Sequence, residues 1–358
     1  MRYELDRAAI DPALRDLQQR QLIFGHLPID PLHAAWFRRR AWIRTIHGTT
    51  RIEGNSLNDL EVEELLTDPT NRFPRKEALE VLGSREALAF VDEIASTDVP
   101  IDEAVIREIH RRVLDDINPL LTPGAYRRGS NAVGDADGNI VFTTPPSGDV
   151  PELMRELGLW LRGGMGDQPA PVAAALAHLE FVAIHPFYDG NGRTSRALAR
   201  LILLRGAVGF DGLVSLDAYL DNDRTAYFAA IRASTRGRYE PGYDATPFVT
   251  YLLNALTGAA DRVLTGLRGL GGVMIEIRRD ITSGALPPSL LDGLAYAWVN
   301  RSLRAADYIR ITGRSPQSTT RDLAAAVAAG FLVPTGEGRW RRYVLGPRLS
   351  ITASTEGT

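Results

Sequence analysis

The sequence predicts a mainly α-helical protein, with one small β-hairpin near its middle and a winged helix-turn-helix unit at its C-terminal end. Three observations carry that expectation. Apolar residues recur at helical spacing through most of the 358 residues. Strand signals are confined to two short stretches. Proline, glycine and capping residues fall where helices would begin and end. No internal repeat or low-complexity stretch is present.

Taken in order, Trp36, Ile43 and Ile46 share one helical face, and that helix is expected to end near Thr50. Ser56 or Asn58 would cap a short helix through Leu66, with Pro69 and Pro74 marking a connection. A helix is expected over 76–94, and another over 101–117 with Val105, Ile109 and Val113 on one face. Pro119, Pro123 and Gly124 end it. Residues 130–134 and 139–143 flank Asp137-Gly138, a turn pair that predicts a hairpin. Helical spacing resumes over 150–161 and 171–184. A loop over 185–190 then leads into a helix from Asn191 to about Leu204. Further helices are expected over 224–234, 246–267 and 302–311. Ser315-Pro316 reads as a cap followed by proline at the first helical position, and Gly330 as a stop. Residues 331–333 and 340–345, about the turn 335–338, form the expected wing.

Composition narrows the function. Apolar residues at 44% and charged residues at 24% are ordinary for a globular chain. A formal charge of -3 argues against a dedicated polyanion binder. The absence of cysteine excludes disulfides and thiolate metal sites. The first residues lack the apolar core of a secretion signal, and no apolar run reaches the roughly 18 residues of a membrane helix. A cytoplasmic protein without membrane association is the expectation.

Chemistry concentrates in His185-Pro186-Phe187-Tyr188-Asp189-Gly190-Asn191-Gly192-Arg193-Thr194-Ser195-Arg196. The first N–H groups of a helix have no internal partner, so Gly190, Asn191 and Gly192 form an anion cradle. Arg193 and Arg196 lie three apart and can both reach that cradle. Asp189 is a hard oxygen ligand suited to a magnesium ion that keeps most of its waters. His185 titrates near neutrality and can take a proton from a hydroxyl. His178 and His110 read as packing residues, and neither has a partner at metal-ligand spacing.

This segment resembles the Fic family signature HPFxxGNGRxxR and matches it at every specified position. The resemblance covers roughly residues 36–256 and implies a Fic-type helical core. It also implies protein adenylyltransfer: His185 as general base for a Ser, Thr or Tyr hydroxyl that attacks the α-phosphate of ATP, Asp189 holding Mg2+, and phosphates on Gly190, Asn191, Gly192, Arg193, Thr194 and Arg196. Related Doc kinases carry lysine where this chain has Gly192, which favours nucleotidyl transfer over phosphorylation. Thr49-Thr50-Arg51-Ile52-Glu53-Gly54 is similar to the family's inhibitory motif [S/T]xxxE[G/N]; there the glutamate, here Glu53, pairs with the arginine at Arg196 that would otherwise clamp the γ-phosphate. The hairpin occupies the place of the family's flap, which docks a target segment as an added strand. Ala132, Val133 and Gly134 resemble its pocket-lining strand, and Tyr227 a tyrosine near the adenine. Thr235 stands where the family has an adenine-contacting asparagine, a departure that bears on base preference.

The implied organisation is an N-terminal helical extension with the inhibitory helix (1–100), a Fic core (101–269) and a winged-helix-like domain (270–358). The rival class is a DNA-binding regulator. Arg304, Arg310, Arg314, Arg321, Arg339, Arg341 and Arg342 give the last unit a basic lean, with Gln317, Ser318 and Thr319 also near the start of its second helix. Winged helices also serve as protein-contact modules, and nucleic acid is not the favoured partner. A third alternative keeps the fold but transfers UMP or phosphocholine, or removes AMP. Expected partners are a target protein along the flap and a second copy in a homodimer.

Overall fold

The structure, a computed structural model, describes residues 1–68, 73–114, 122–134, 139–338 and 341–349. The chain divides into two compact units, one of Met1–Leu27 with Trp42–Ala259, the other of Pro28–Ala41 with the chain from Ala260 onward.

In the first unit β1 (Tyr3–Glu4) precedes α1 (Arg7–Gly25), whose N-cap Asp6 accepts from the Ala9 N–H. The sequence reading did not anticipate α1, because only Ile10, Ala13 and Leu17 of it are buried. α2 (Pro31–Ile52) runs two residues past the expected end. Of the two candidate caps for α3 (Asp59–Thr67), Asn58 serves: its side chain accepts from Leu60 and Glu61, and Glu61 returns a bond to the Asn58 N–H. Such a capping box contributes about 1 kcal/mol. α4 (Arg75–Ala95) follows, then α5 (Glu103–Val113), capped by Asp102. Pro69, Ile117, Pro119, and the hairpin turn Asp137-Gly138 lie outside the described residues.

β2 (Ala132–Gly134) and β3 (Ile140–Thr143) pair antiparallel, with Val133 opposite Phe142. The far side of β3 is held by the Thr143 N–H to Gly237 and the Tyr239 N–H to Thr143, so the open edge of the hairpin is β2. After α6 (Val150–Arg162) comes α7 (Ala170–Ile184), apolar on every face and buried almost throughout, as a helix at the centre of a core must be. α8 (Asn191–Arg205) packs along it, flanked by α4 and α5. Two short helices, α9 (Leu216–Asn222) and α10 (Arg224–Thr235), lead to β4 (Tyr243–Asp244), which pairs parallel to β1. α9, capped by Ser215, is too short to carry a periodic signal.

α11 (Thr246–Thr282) extends fifteen residues beyond its expected end at 267. Gly266, Gly269, Gly271 and Gly272 lie within it, and each glycine inside a helix costs about 1 kcal/mol. Burial of Leu270, Val273 and Ile277 at helical spacing offsets it. In the second unit follow α12 (Leu290–Asn300), β5 (Ser302–Leu303), α13 (Ala305–Thr312), α14 (Pro316–Ala328), β6 (Leu332–Thr335) and β7 (Arg342–Leu345). The strands form an antiparallel sheet in the order β5-β7-β6. α12 was not anticipated; buried on nearly every face, it lacks an amphipathic pattern.

Some arginines of this unit are engaged internally, while Arg321 and Arg341 are exposed. Arg314 pairs with Asp322 at 3.0 Å and Arg310 with Asp307 at 3.2 Å, while Arg342 is buried. Thr319 is buried too, so it is not presented with Gln317 on the surface of α14. Arg339 and Trp340 lie outside the described residues. No helix among the described residues is long and apolar enough to cross a membrane.

Candidate active site

The loop between α7 and α8 is held by its own side chains. Phe187 is fully buried and stacks on His110, ring centroids 3.5 Å apart and nearly parallel. Asn191 closes the turn, its Oδ1 accepting from the Phe187 N–H at 3.0 Å and its Nδ2 donating to the Phe187 carbonyl at 2.9 Å. The Asn191 side chain therefore shapes the cradle, and only its backbone N–H is available to an anion. Gly190 sits at φ +74°, a conformation that favours glycine, and turns the first N–H groups of α8 outward.

His110 has a definite role beneath the loop. The Gly124 N–H donates to its Nδ1, so Nε2 carries the proton and donates to the Asp189 carbonyl at 3.0 Å. Burial pulls the pKa of His110 down to about 4, so the ring stays neutral.

His185 ends α7 in the left-handed region, φ +50° and ψ +59°. Its Nδ1 lies 3.3 Å from the Val182 carbonyl. A carbonyl only accepts, so Nδ1 is the protonated nitrogen and Nε2 keeps its lone pair. Burial lowers the pKa of His185 below the usual histidine value, which keeps that lone pair available at neutral pH.

Arg193 is buried, and its Nε and Nη1 have no hydrogen-bond partner among the described residues. Its Nη2 is 3.5 Å from Asp189 Oδ1. A buried guanidinium with two such nitrogens beside a helix N-terminus fits an anion. Asp189 is 49% exposed and uses Oδ1 on the Gly190 N–H. A half-exposed carboxylate beside that anion site fits a magnesium ion held mainly by phosphates and water. No cluster of three His, Asp or Glu side chains offers a denser metal site among the described residues.

Arg196 is buried and tied to the end of α2. Its Nε donates to Thr49 Oγ1 at 2.9 Å, and its Nη2 to the Thr49 carbonyl and Glu53 Oε1, both at 2.8 Å. Asp217 of α9 adds a carboxylate 3.4 Å from Nε. Burial works against the charge of Arg196, yet the carboxylates of Glu53 and Asp217 outweigh it and raise its pKa. Glu53 also crowds the cradle, because a Cβ placed on Gly192 would run into its Oε1.

Glu53, His185, Gly192 and Arg196 line one cavity of about 150 Å³, closed by Val133, Val141 and Phe142 of the hairpin and by α10. Ala132, Gly134, Asp189, Gly190, Asn191, Arg193 and Thr194 do not line it; Thr194 is wholly buried, with its hydroxyl unpartnered among the described residues. Tyr227 borders the cavity but is 1% exposed, and its hydroxyl bonds His178 at 2.7 Å, burial pushing its pKa up to about 12. Thr235 also borders it, with its hydroxyl donating to the Ile231 carbonyl. The neighbouring Phe228 is a partly exposed aromatic on the same wall. Sequence reasoning missed Phe228 and Asp217, neither of which lies in a recognisable pattern.

Fold and loop together define a helical protein built around an anion cradle with an adjacent imidazole and a carboxylate-locked arginine. Residues 100–203 match the family model described as Fic/DOC family. The "Protein adenylyltransferase Fic" of Drosophila grimshawi is 28% identical over 267 residues, 70% of this chain and 51% of that protein. A Fic family protein from Desulfovibrio desulfuricans G20 aligns with a TM-score of 0.61 at 23% identity, over 96% of this chain and 98% of its own. Residues 134–508 of Fic-1 from C. elegans align with a TM-score of 0.59 at 26% identity, over 73% of each chain. The chain carries a Fic/DOC family domain over residues 100–203. It spans about half the length of the curated relatives it matches.

Proposed function

We propose that this protein is an adenylyltransferase that moves AMP from ATP onto a Ser, Thr or Tyr hydroxyl of a target protein or of itself, and that Glu53 restrains it. The observation that carries the reading is the single cavity shared by His185, Gly192, Arg196 and Glu53. A base, a phosphate cradle, a phosphate clamp and its competitor meet there.

The triphosphate lies along the N-terminus of α8, its charge met by backbone N–H groups, Arg193 and Arg196. A target segment adds to the open edge of β2 and brings its hydroxyl to the α-phosphorus. His185 Nε2 takes the hydroxyl proton as the oxygen attacks; the new P–O bond forms, the bond to the β-phosphate breaks, and pyrophosphate leaves. Asp189 would hold a magnesium ion, which would supply neutralisation of phosphate charge. Glu53 opposes this by direct competition, since one nitrogen of Arg196 cannot serve a carboxylate and a phosphate together.

The second unit is read as a winged-helix module for protein contact, because Arg314 is tied to the buried Asp322, Arg342 is buried and Thr319 is turned inward, which leaves fewer groups at the start of α14 to face a nucleic acid. The test of the activity is Glu53→Gly protein incubated with ATP labelled at either the α or the γ position. Label from the α position alone supports adenylyl transfer; label from the γ position means a kinase, and none from either overturns the reading.

A further inference from the structure

We propose that Arg127 is a positioning residue that clamps the backbone of the His185 base and both ends of the β2–β3 hairpin into one rigid unit. This rests on the adenylyltransferase reading above and names what holds its base and its target-docking edge in register.

Arg127 is 2% exposed, yet every hydrogen bond of its side chain among the described residues goes to a main-chain carbonyl. Nε donates to His185 at 2.8 Å. Nη2 donates to Pro145 at 2.6 Å and makes a longer bond to Ile184 at 3.4 Å. Nη1 donates to Gly129 at 3.1 Å, and the main-chain N–H of Arg127 donates to Pro186 at 2.9 Å. Gly129 lies just before β2 and Pro145 just after β3. One planar fork therefore joins the entry to the hairpin, its exit and the end of α7.

Chemistry explains why this position requires arginine. The last carbonyls of a helix lack donors, and a cation at that end also meets the negative pole of the helix dipole. His185 holds a left-handed conformation that a residue with a β-carbon resists, so its surroundings must over-determine it. A guanidinium offers five donors in a fixed plane, whereas a lysine ammonium offers three around a point and cannot span three segments. Tyr188 reinforces the joint from the loop side, its hydroxyl accepting from the Arg128 and Gly129 N–H groups. The target hydroxyl arrives on the β2 edge and its proton leaves to His185, so Arg127 sets the distance between nucleophile and base without touching either.

The test uses full-length Glu53→Gly protein carrying Arg127→Gln or Arg127→Lys. Because Arg127 makes no contact with the phosphate cradle, the ATP Kd is expected to stay within about threefold, while kcat for self-labelling falls about 100-fold, the cost of a base displaced by about 1 Å. Amide exchange is expected to quicken together at 182–190, 127–134 and 139–146, and not elsewhere. Arg127→Lys keeps the buried charge and carries the test where Arg127→Gln does not fold; it is expected to fold but not to restore kcat. The proposal is overturned if kcat in Arg127→Lys equals the parent's, if ATP affinity and kcat fall in equal proportion, or if exchange quickens uniformly. If the parent transfers no AMP, the adenylyltransferase reading fails, and exchange at the joined segments still reads the clamp.

Discussion

Replacing Glu53 with glycine removes a carboxylate from a guanidinium that stays in place. Arg196 retains Thr49 Oγ1, the Thr49 carbonyl and Asp217, so the arginine remains oriented toward the cradle when Glu53 is gone. The bond lost is one charge-assisted contact at 2.8 Å, and contacts of this kind contribute about 1.5–3 kcal/mol. Glu53 is 35% exposed, which places it nearer the low end through solvent screening. At 1.4 kcal/mol per decade, the open form and the apparent ATP affinity should rise roughly ten- to thirty-fold. Relief of the crowding at Gly192 acts in the same direction. Isothermal titration with ATP reads the affinity, and initial rates with α-labelled ATP read the activity. Glu53→Gln, which keeps a hydrogen bond and loses the charge, should fall between. Equal ATP affinity in wild type and Glu53→Gly would refute the competition.

Other consequences are as direct. His185→Ala in the Glu53→Gly protein should lower transfer by about 10²–10⁴-fold while ATP binding persists, as titration and labelling in parallel will report. Burial places the His185 pKa below the histidine norm and the base works when neutral, so the acid limb of kcat should be centred below that norm; an acid limb centred above 7 would contradict this. Loss of Glu53, whose charge raises that pKa, should shift the limb further toward acid. His110 titrates near 4 folded and near 6.5 unfolded, so the stability from its neutral ring is complete above 6.5 and lost as pH falls toward 4. Urea unfolding of wild type against His110→Asn should show an extra loss of about 3 kcal/mol over that window in the wild type alone. Gly48→Ala would put a Cβ 2.7 Å from the Asp217 backbone; it should destabilise by about 1–3 kcal/mol and, by forcing α2 from α9, raise self-labelling.

What the sequence revealed depended on whether a residue acts through a local pattern or through space. The cradle was legible because its glycines, asparagine and arginines are consecutive and each obeys a rule of helix N-termini. Glu53 was legible only through its short motif, since it meets Arg196 across 143 residues. Arg127 and Asp217 were invisible: a buried arginine bonded to carbonyls looks the same in sequence as its exposed neighbour Arg128. Among the helices, strongly one-sided α5 emerged clearly, whereas α12, apolar all round, and α9, two turns long, gave no periodic signal. α11 outruns its expected end at 267 because side-chain burial at Leu270, Val273 and Ile277 outweighs the low local propensity of its glycines. Tyr227 shows the same limit at the site: sequence chose the aromatic, and packing turned its hydroxyl to His178.

The most direct measurement is a crystal structure of Glu53→Gly protein with ATP and magnesium. Arg196, still held by Thr49, should donate to the terminal phosphate from the nitrogen that met Glu53, with Arg193 and the first amides of α8 around the inner phosphates. His185 Nε2 should face the α-phosphorus across a gap sized for a hydroxyl. A nucleotide bound away from α8, or one with its γ-phosphate against His185, would contradict the shared site on which everything else is built.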